Sequence, residues 1–142
     1  MKELFNVNTK TFYDINTTIL YTSSFNYTND AIYFINQGCI VITKDRGNIS
    51  YDIRKEILEL FHEEELMSKK ELSKKDELKL KILSNLTSKE KVYVFMNVLT
   101  YLDNAFKEQL IAYLKANNKR IINYTTNIEE TLLLDYLIVY HE

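Results

Sequence analysis

A short, unbroken apolar run near the middle of the chain constrains the fold more than any other feature. Residues 92–96 read VYVFM, and such a β-branched and aromatic run is typical of a strand buried on both faces. Thr100 and Asp103 have the spacing of a capping box, and apolar residues recur at helical spacing over 102–114. Asn117-Asn118 can take the left-handed turn that stops a helix, and another β-like run begins at Ile121. Strand, helix and strand in this order predict a right-handed parallel unit, and therefore an α/β fold with a mostly parallel sheet.

The rest of the chain supplies further elements of the same kind. We expect strands at 18–22, 39–43 and 137–140, and an edge hairpin or irregular strand within residues 1–17. Residues 24–37 fit either a short helix that ends at Gly38 or a hairpin. Apolar positions between Ile53 and Met67 predict a long helix that begins near Ser50. Ser68 with Glu71 and Ser73 with Asp76 both have the spacing of a capping box, so we expect a break in the chain here and the start of a second helix.

The composition indicates one ordinary globular domain. The 142 residues contain no proline and no Gly/Ser-rich linker, so we expect a single α/β domain over 1–142. Apolar residues make up 46% and charged residues 27%, which excludes a largely disordered chain. Cys39 is the only cysteine, which excludes an intramolecular disulfide and fits a reducing cytoplasm. Since no apolar stretch approaches the length of a membrane span or a signal peptide core, we expect a cytoplasmic protein.

The central strand suggests a comparison with nucleotide hydrolases of the P-loop class. In those enzymes such a strand ends in an aspartate that holds magnesium, whereas Asn97 stands here. The only glycines are Gly38 and Gly47, and neither precedes the Lys-Ser/Thr pair of a phosphate-binding loop. The sequence therefore predicts a degenerate core that resembles P-loop hydrolases but lacks their nucleotide chemistry.

No catalytic arrangement has support in the sequence. His62 and His141 are the only histidines, which is too few for a helical zinc site. Cys39 lies in a predicted strand, where a buried and inert thiol is the usual case. We therefore expect no enzymatic activity, although an α/β enzyme whose pocket the sequence cannot show stays open as an alternative.

Lysines are concentrated in one segment of an otherwise slightly acidic chain. The formal net charge is −2, yet residues 69–91 contain eight lysines and four acids. One interpretation is a solvated helix whose acids balance its lysines. The other is a surface that contacts nucleic-acid phosphates without reading the sequence. The candidate DNA-binding residues are Lys69, Lys70, Lys74, Lys75, Lys79 and Lys81.

Two stretches of the chain resemble a known family. The first is KVYVFMNVLTYLDNAFKEQLIAYLKANNKRIINYT with the later LLLDYLIVYHE, and the second is CIVITKDRGNISYDIRKEILELFHEEEL. Their pattern of strands, helices and polar residues is similar to that of the type II-A CRISPR-associated Csn family, over roughly half the chain. Members of that family carry a much longer helical arm where this chain has only residues 68–87. The chain thus resembles a shortened member with a much reduced arm.

The resemblance implies a function and a set of partners. It implies a homo-oligomeric ring, expected to be a tetramer, that threads the ends of linear double-stranded DNA. It also implies cooperation with CRISPR integrase and effector-nuclease proteins during spacer acquisition, a step of antiviral defence. Calcium at subunit contacts is a further implication, for which Glu59, Glu63 and Glu64 offer oxygen ligands. No family ligand motif matches these positions, so no metal ligand is assigned.

A different class of function remains open. The net charge, the missing arm and the acidic residues of 126–142 also fit a small protein-interaction module without DNA affinity. Such a module would be an assembly subunit, or a mimic that inhibits the CRISPR machinery.

Overall fold

The computed structural model has an α/β fold. It describes residues 5–6, 11–12, 17–22, 32, 34–44, 53–125 and 137–140, and of residues 5–6, 11–12, 17–22, 124–125 and 137–140 it describes the backbone alone. The strands are β1 (Phe5–Asn6), β2 (Thr11–Phe12), β3 (Thr17–Thr22), β4 (Ile40–Ile42), β5 (Val92–Met96), β6 (Arg120–Thr125) and β7 (Leu137–Tyr140). The α-helices of defined extent are α1 (Lys55–Leu60), α2 (Lys74–Ser84) and α3 (Asn104–Ala116), and 3₁₀ helices span Glu64–Ser68 and Leu99–Tyr101.

Five of the strands form one parallel sheet. Its strand order is β4-β5-β6-β3-β7, and each neighbouring pair is parallel. Strands β1 and β2 form a separate antiparallel pair in which Phe5 lies opposite Phe12. The predicted α/β class and the mostly parallel sheet are therefore confirmed. Of the two alternatives for residues 1–17 the hairpin is correct, but it forms a sheet of its own and not an edge of the main sheet.

The central strand β5 is buried on both faces, as its sequence predicts. Tyr93, Val94, Phe95 and Met96 are each at most 1% exposed. Because side chains alternate along a strand, Tyr93 and Phe95 point to one face and Val94 and Met96 to the other. Tyr93 and Phe95 belong to a core cluster to which all three helices contribute, whereas Val94 and Met96 do not. The helices α1, α2 and α3 therefore pack on the same face of the sheet.

The helix ends show which local signals the chain uses. Ser73 and Asp76 form the predicted capping box at the start of α2, so that prediction is confirmed. The prediction of Thr100 as the cap of α3 is wrong, because the Phe106 N–H donates to the Asp103 side chain, which is the cap itself. A 3₁₀ turn between β5 and α3 contains Thr100 instead. After α3, Asn118 takes the predicted left-handed conformation with φ 58°.

The single long helix predicted up to Met67 is wrong. Helix α1 ends at Leu60, and His62 adopts a left-handed φ of 56° before the 3₁₀ helix begins. The break allows both Phe61 and Leu66 to enter the core, where they are 5% and 2% exposed. Burial of these two large side chains therefore outweighs the continuity of the helix.

Other predictions concern the connections between these elements. Of the segment 24–37, residues 34–36 are helical and Gly38 follows with φ 79°. The amides of Gly38 and Cys39 donate to the carbonyls of Ile35 and Phe34, as at the end of a helix. Helix is therefore the correct alternative for this part. Residues 24–31, and Ser50 as the predicted helix start, lie outside the described residues.

Candidate functional site: a lysine-lined cavity at the carboxyl edge of the sheet

A cavity of about 460 Å³ lies beside the carboxyl ends of β4 and β5. Lys44 follows β4, Tyr101 lies in the 3₁₀ turn after β5, and α2 supplies one side of the cavity. Ligands of open α/β sheets bind outside the carboxyl ends of the strands, so this is the expected place for a site. The described lining residues are Lys44, Lys74, Lys75, Glu77, Leu78, Lys81 and Tyr101.

Two contacts join the elements that line this cavity. The Lys81 Nζ donates to the carbonyl oxygen of Lys44 at 3.0 Å and so ties α2 to the end of β4. The Nζ of Lys44 lies 4.5 Å from the centroid of the Tyr101 ring, a distance at which a cation and an aromatic face attract each other. Tyr101 nevertheless keeps 47% of its surface exposed. The cavity therefore combines positioned ammonium groups with an accessible aromatic ring.

Helix α2 contributes two further lysines near its first turn. Lys74 is exposed and forms no ion pair within the described part of the chain. Lys75 lies 3.5 Å from the Asp103 carboxylate, and both side chains are about half exposed. Since an exposed ion pair of this kind is weak, the Lys75 ammonium remains available to an anion. Four lysines thus face one acid, Glu77, in the described lining.

No family model matches the chain, and no curated protein matches it either. The resemblance to the Csn family therefore stays a prediction.

Lys79, unlike the lysines that line the cavity, is buried. Its side chain is 10% exposed and forms an ion pair with Glu63, which is itself 18% exposed. Its Nζ also lies 4.0 Å from the Asp103 carboxylate and 5.5 Å from the centroid of the Phe106 ring. Because the Lys79 ammonium is largely withdrawn from solvent and paired with Glu63, we assign Lys79 a role in stability and not in ligand binding.

The position of Asp103 near two lysines affects the pKa of its carboxyl group. Its pKa is lowered, first by the hydrogen bond from the Phe106 N–H and then, against the effect of burial, by the charges of Lys79 and Lys75. Asp103 therefore stays ionised. Its side chain caps α3 and lies within 4.0 Å of two ammonium groups, that of Lys75 in the cavity lining and that of Lys79 in the interior.

Lys69 and Lys70 lie before α2 and differ in their partners. The Lys69 Nζ donates to both carboxylate oxygens of Asp76, at 3.2 and 3.1 Å. Burial raises the pKa of Asp76, but the hydrogen bonds from Lys69 and Ser73 outweigh it and lower the pKa overall. Lys70 is exposed and has no ion pair in the described part of the chain.

Of the six lysines predicted to bind DNA, the structure brings three together. Lys74, Lys75 and Lys81 line the cavity, whereas Lys69 and Lys79 are paired with acids elsewhere. Lys44 and Tyr101 also line the cavity and were not among the predicted site residues. A signal for both was present, because each follows the carboxyl end of a correctly predicted strand, the edge at which α/β sheets bind ligands.

The described residues give less support to metal binding or to nucleophilic catalysis. Within the described ranges no three His, Cys, Asp or Glu residues are grouped so that they could hold a metal ion. Burial, together with the charge of Glu90, raises the pKa of Cys39 to about 11, so its thiol is protonated and a poor nucleophile at neutral pH. Asn97 directly follows β5 and has a left-handed φ of 59°. None of the helices described is long and apolar enough to cross a membrane.

Proposed function

We propose that this protein binds linear double-stranded DNA at its ends, without sequence preference and without catalysis, as an oligomeric ring that supports CRISPR spacer acquisition. One observation supports the DNA-binding part of the proposal: among the described residues, four lysines and one acid line the cavity at the carboxyl edge of the sheet. Lysine attracts phosphate as a point charge and reads no base edge, so the binding would be independent of sequence.

The remaining parts of the proposal come from the resemblance to the Csn family. They are a ring of four subunits, integrase and effector-nuclease partners, a cytoplasmic location and calcium at subunit contacts. If each of four subunits places two lysines against the duplex, the logarithm of affinity should fall with the logarithm of salt concentration with a slope of about −7. A monomer that uses the same two lysines would give a slope of about −2.

The first experiment is a gel-shift comparison of a linear duplex with a covalently closed circle of the same sequence, at low salt. A ring that loads at DNA ends shifts the linear form alone. An equal shift of both forms would show lateral binding and overturn the ring. If neither form shifts, the DNA-binding proposal itself is wrong.

A matched pair of variants tests which lysines carry the binding. We expect Lys74→Gln with Lys81→Gln to make the salt slope shallower by about 2 for each subunit that contacts the DNA. Lys89→Gln with Lys91→Gln removes the same charge from exposed lysines that lie outside the cavity and outside the six candidates, and should leave the slope nearly unchanged. An equal change in both double variants would mean that general charge, and not the cavity, binds DNA.

A second candidate function is a protein-interaction module without DNA affinity. It is favoured by a groove of about 590 Å³ beside the ends of α1 and α3, which is lined by apolar and acidic residues that include Leu60, Ala105 and Glu108. Leu60 adds an apolar side chain that is 43% exposed to this groove. This candidate predicts that neither DNA form shifts in the gel experiment.

A further inference from the structure

The cavity at the carboxyl edge has the dimensions of a small-molecule site. Its volume of about 460 Å³ falls within the range of pockets that enclose ligands of moderate size. A DNA duplex is far too wide to enter such a space, so the duplex itself can only lie across its mouth. The space is sufficient for a ligand of the size of a single nucleotide.

The aromatic part of a nucleotide has a partner in the cavity. Tyr101 keeps 47% of its surface exposed although the Lys44 ammonium lies over its ring. An accessible tyrosine stacks on any nucleobase, because every base has a π-face. Leu78 adds an apolar side chain to the same lining.

The charge of the lining favours one kind of phosphate. A phosphate monoester carries about −1.5 to −2 charges at neutral pH, whereas the diester inside a DNA strand carries only one. Lys81 is held in place by the Lys44 carbonyl and has two further N–H groups to offer. Lys74 has no ion-pair partner among the described residues. Lysines so arranged prefer the more highly charged monoester.

We propose that this cavity binds one nucleoside 5′-monophosphate group, with its base against Tyr101 and its phosphate among Lys44, Lys74 and Lys81. The group can come from two sources, which are a free mononucleotide and the 5′-phosphorylated terminal nucleotide of a DNA strand. The inference rests on the phosphate-binding role proposed above for the same lysines, and it adds a ligand of defined size, an aromatic contact and a preference for a terminal phosphate.

The first test uses calorimetric titration of the purified protein with 2′-deoxyadenosine 5′-monophosphate and with 2′-deoxyadenosine. The monophosphate should bind at least about tenfold more tightly than the nucleoside, because only the monophosphate pairs with the lysines. Tyr101→Ala should weaken monophosphate binding about tenfold, and Tyr101→Phe, which keeps the ring, should not. Lys81→Gln should weaken it where Lys70→Gln does not. Circular dichroism of each variant confirms that the fold is retained.

The second test separates the two sources. Duplexes with a short 5′ overhang are compared by fluorescence anisotropy, one with a 5′-phosphate and one with a 5′-hydroxyl. Tighter binding of the phosphorylated duplex, lost in Tyr101→Ala, supports the strand terminus as the ligand. Binding of the free monophosphate with no such preference supports a free nucleotide. No binding of the monophosphate together with equal binding of the two duplexes overturns the inference.

These outcomes also separate the inference from the proposed function. If DNA of every form fails to bind while the free monophosphate binds, the DNA-binding proposal fails and the nucleotide site stands. If blunt, 5′-hydroxyl DNA binds through the lysines and the monophosphate does not, the nucleotide site fails and the DNA-binding proposal stands.

Discussion

Lysines in two neighbouring regions of this molecule have opposite surroundings. In the cavity, Lys74 is exposed and Lys81 is half-buried, with Glu77 as the one acid of the described lining, whereas Lys79 is buried over the Phe106 ring and beside Glu63. All three belong to the single helix α2. Residue type and spacing in the sequence therefore do not show whether a lysine belongs to a binding surface. The exposure of its side chain and the presence of an acidic partner do show it.

The energetic meaning of the two settings also differs. A solvent-exposed lysine contributes little to stability, because water stabilises its charge in the folded and unfolded states alike. A lysine withdrawn from water depends on its partner, since an uncompensated buried charge is costly. Substitution should therefore affect stability at Lys79 and ligand binding at Lys74 and Lys81.

The largest expected effect comes from breaking the interior pair. Lys79→Met leaves Glu63 partly buried without its partner, and we expect a loss of about 3 kcal/mol in the free energy of unfolding. The measurement is urea unfolding followed by circular dichroism. In conditions where the variant is folded, its affinity for DNA should match that of the unaltered protein.

Two further variants check this assignment. Lys70→Met removes an exposed lysine without an ion pair and should change stability by less than about 0.5 kcal/mol. Combining Lys79→Met with Glu63→Leu should recover most of the loss, since an apolar pair of similar volume replaces the ionic one. The comparison fails if Lys79→Met costs no more than Lys70→Met.

A buried polar side chain without a partner gives the second largest effect, with the opposite sign. Asn123 in β6 is 0% exposed, and neither its Nδ2 nor its Oδ1 has a hydrogen-bond partner in the described structure. We expect Asn123→Val to raise the free energy of unfolding by about 1–2 kcal/mol, because the substitution removes an unsatisfied buried amide. Urea unfolding measures this directly. A destabilised variant would show that the amide makes a contact worth more than its burial costs.

The smallest effect concerns Asp103, the residue shared by the two regions. Its pKa is lower in the folded protein than in the unfolded chain, so its contribution to stability is complete above about pH 4 and is lost as the pH falls through the folded value. Asn caps a helix as well as Asp does, so Asp103→Asn removes the charge and keeps the cap. Because the side chain is 52% exposed, we expect a loss of about 0.2–1 kcal/mol at neutral pH.

The pH dependence distinguishes this charge effect from a loss of packing. The stabilities of Asp103→Asn and the unaltered protein should converge as the pH falls from about 4 through the lowered pKa of folded Asp103, because the carboxylate charge is lost there. A constant difference at every pH would mean that the substitution disturbs the cap or its packing. In that case Asp103 does not link the two lysine regions electrostatically.

Much of the fold was predictable because its signals are local. The run at 92–96 implies a strand buried on both faces, Ser73 with Asp76 implies a helix start, and Asn118 implies a left-handed stop. Each signal spans a few neighbouring residues, and each was confirmed. The early end of α1 at Leu60 was not predictable, because no glycine or proline marks the left-handed turn at His62.

The candidate site was predictable only in part. Sequence alone indicated that lysines of residues 69–81 form a basic region, and three of the six line the cavity. It gave no reason to separate them from Lys79, whose partner Glu63 lies 16 residues earlier. It also missed Lys44, whose carbonyl meets Lys81 across 37 residues of chain.

By itself, the sequence determined the α/β class, the parallel order implied by strand, helix and strand, and the local caps of α2. Only the tertiary structure decided which lysines face the cavity and which are paired in the interior. The physical reason is how far apart in the sequence the interacting residues lie. Hydrogen bonds within a helix turn join residues that are close in sequence, whereas the charge of a surface depends on desolvation and on partners that only the folded chain brings together.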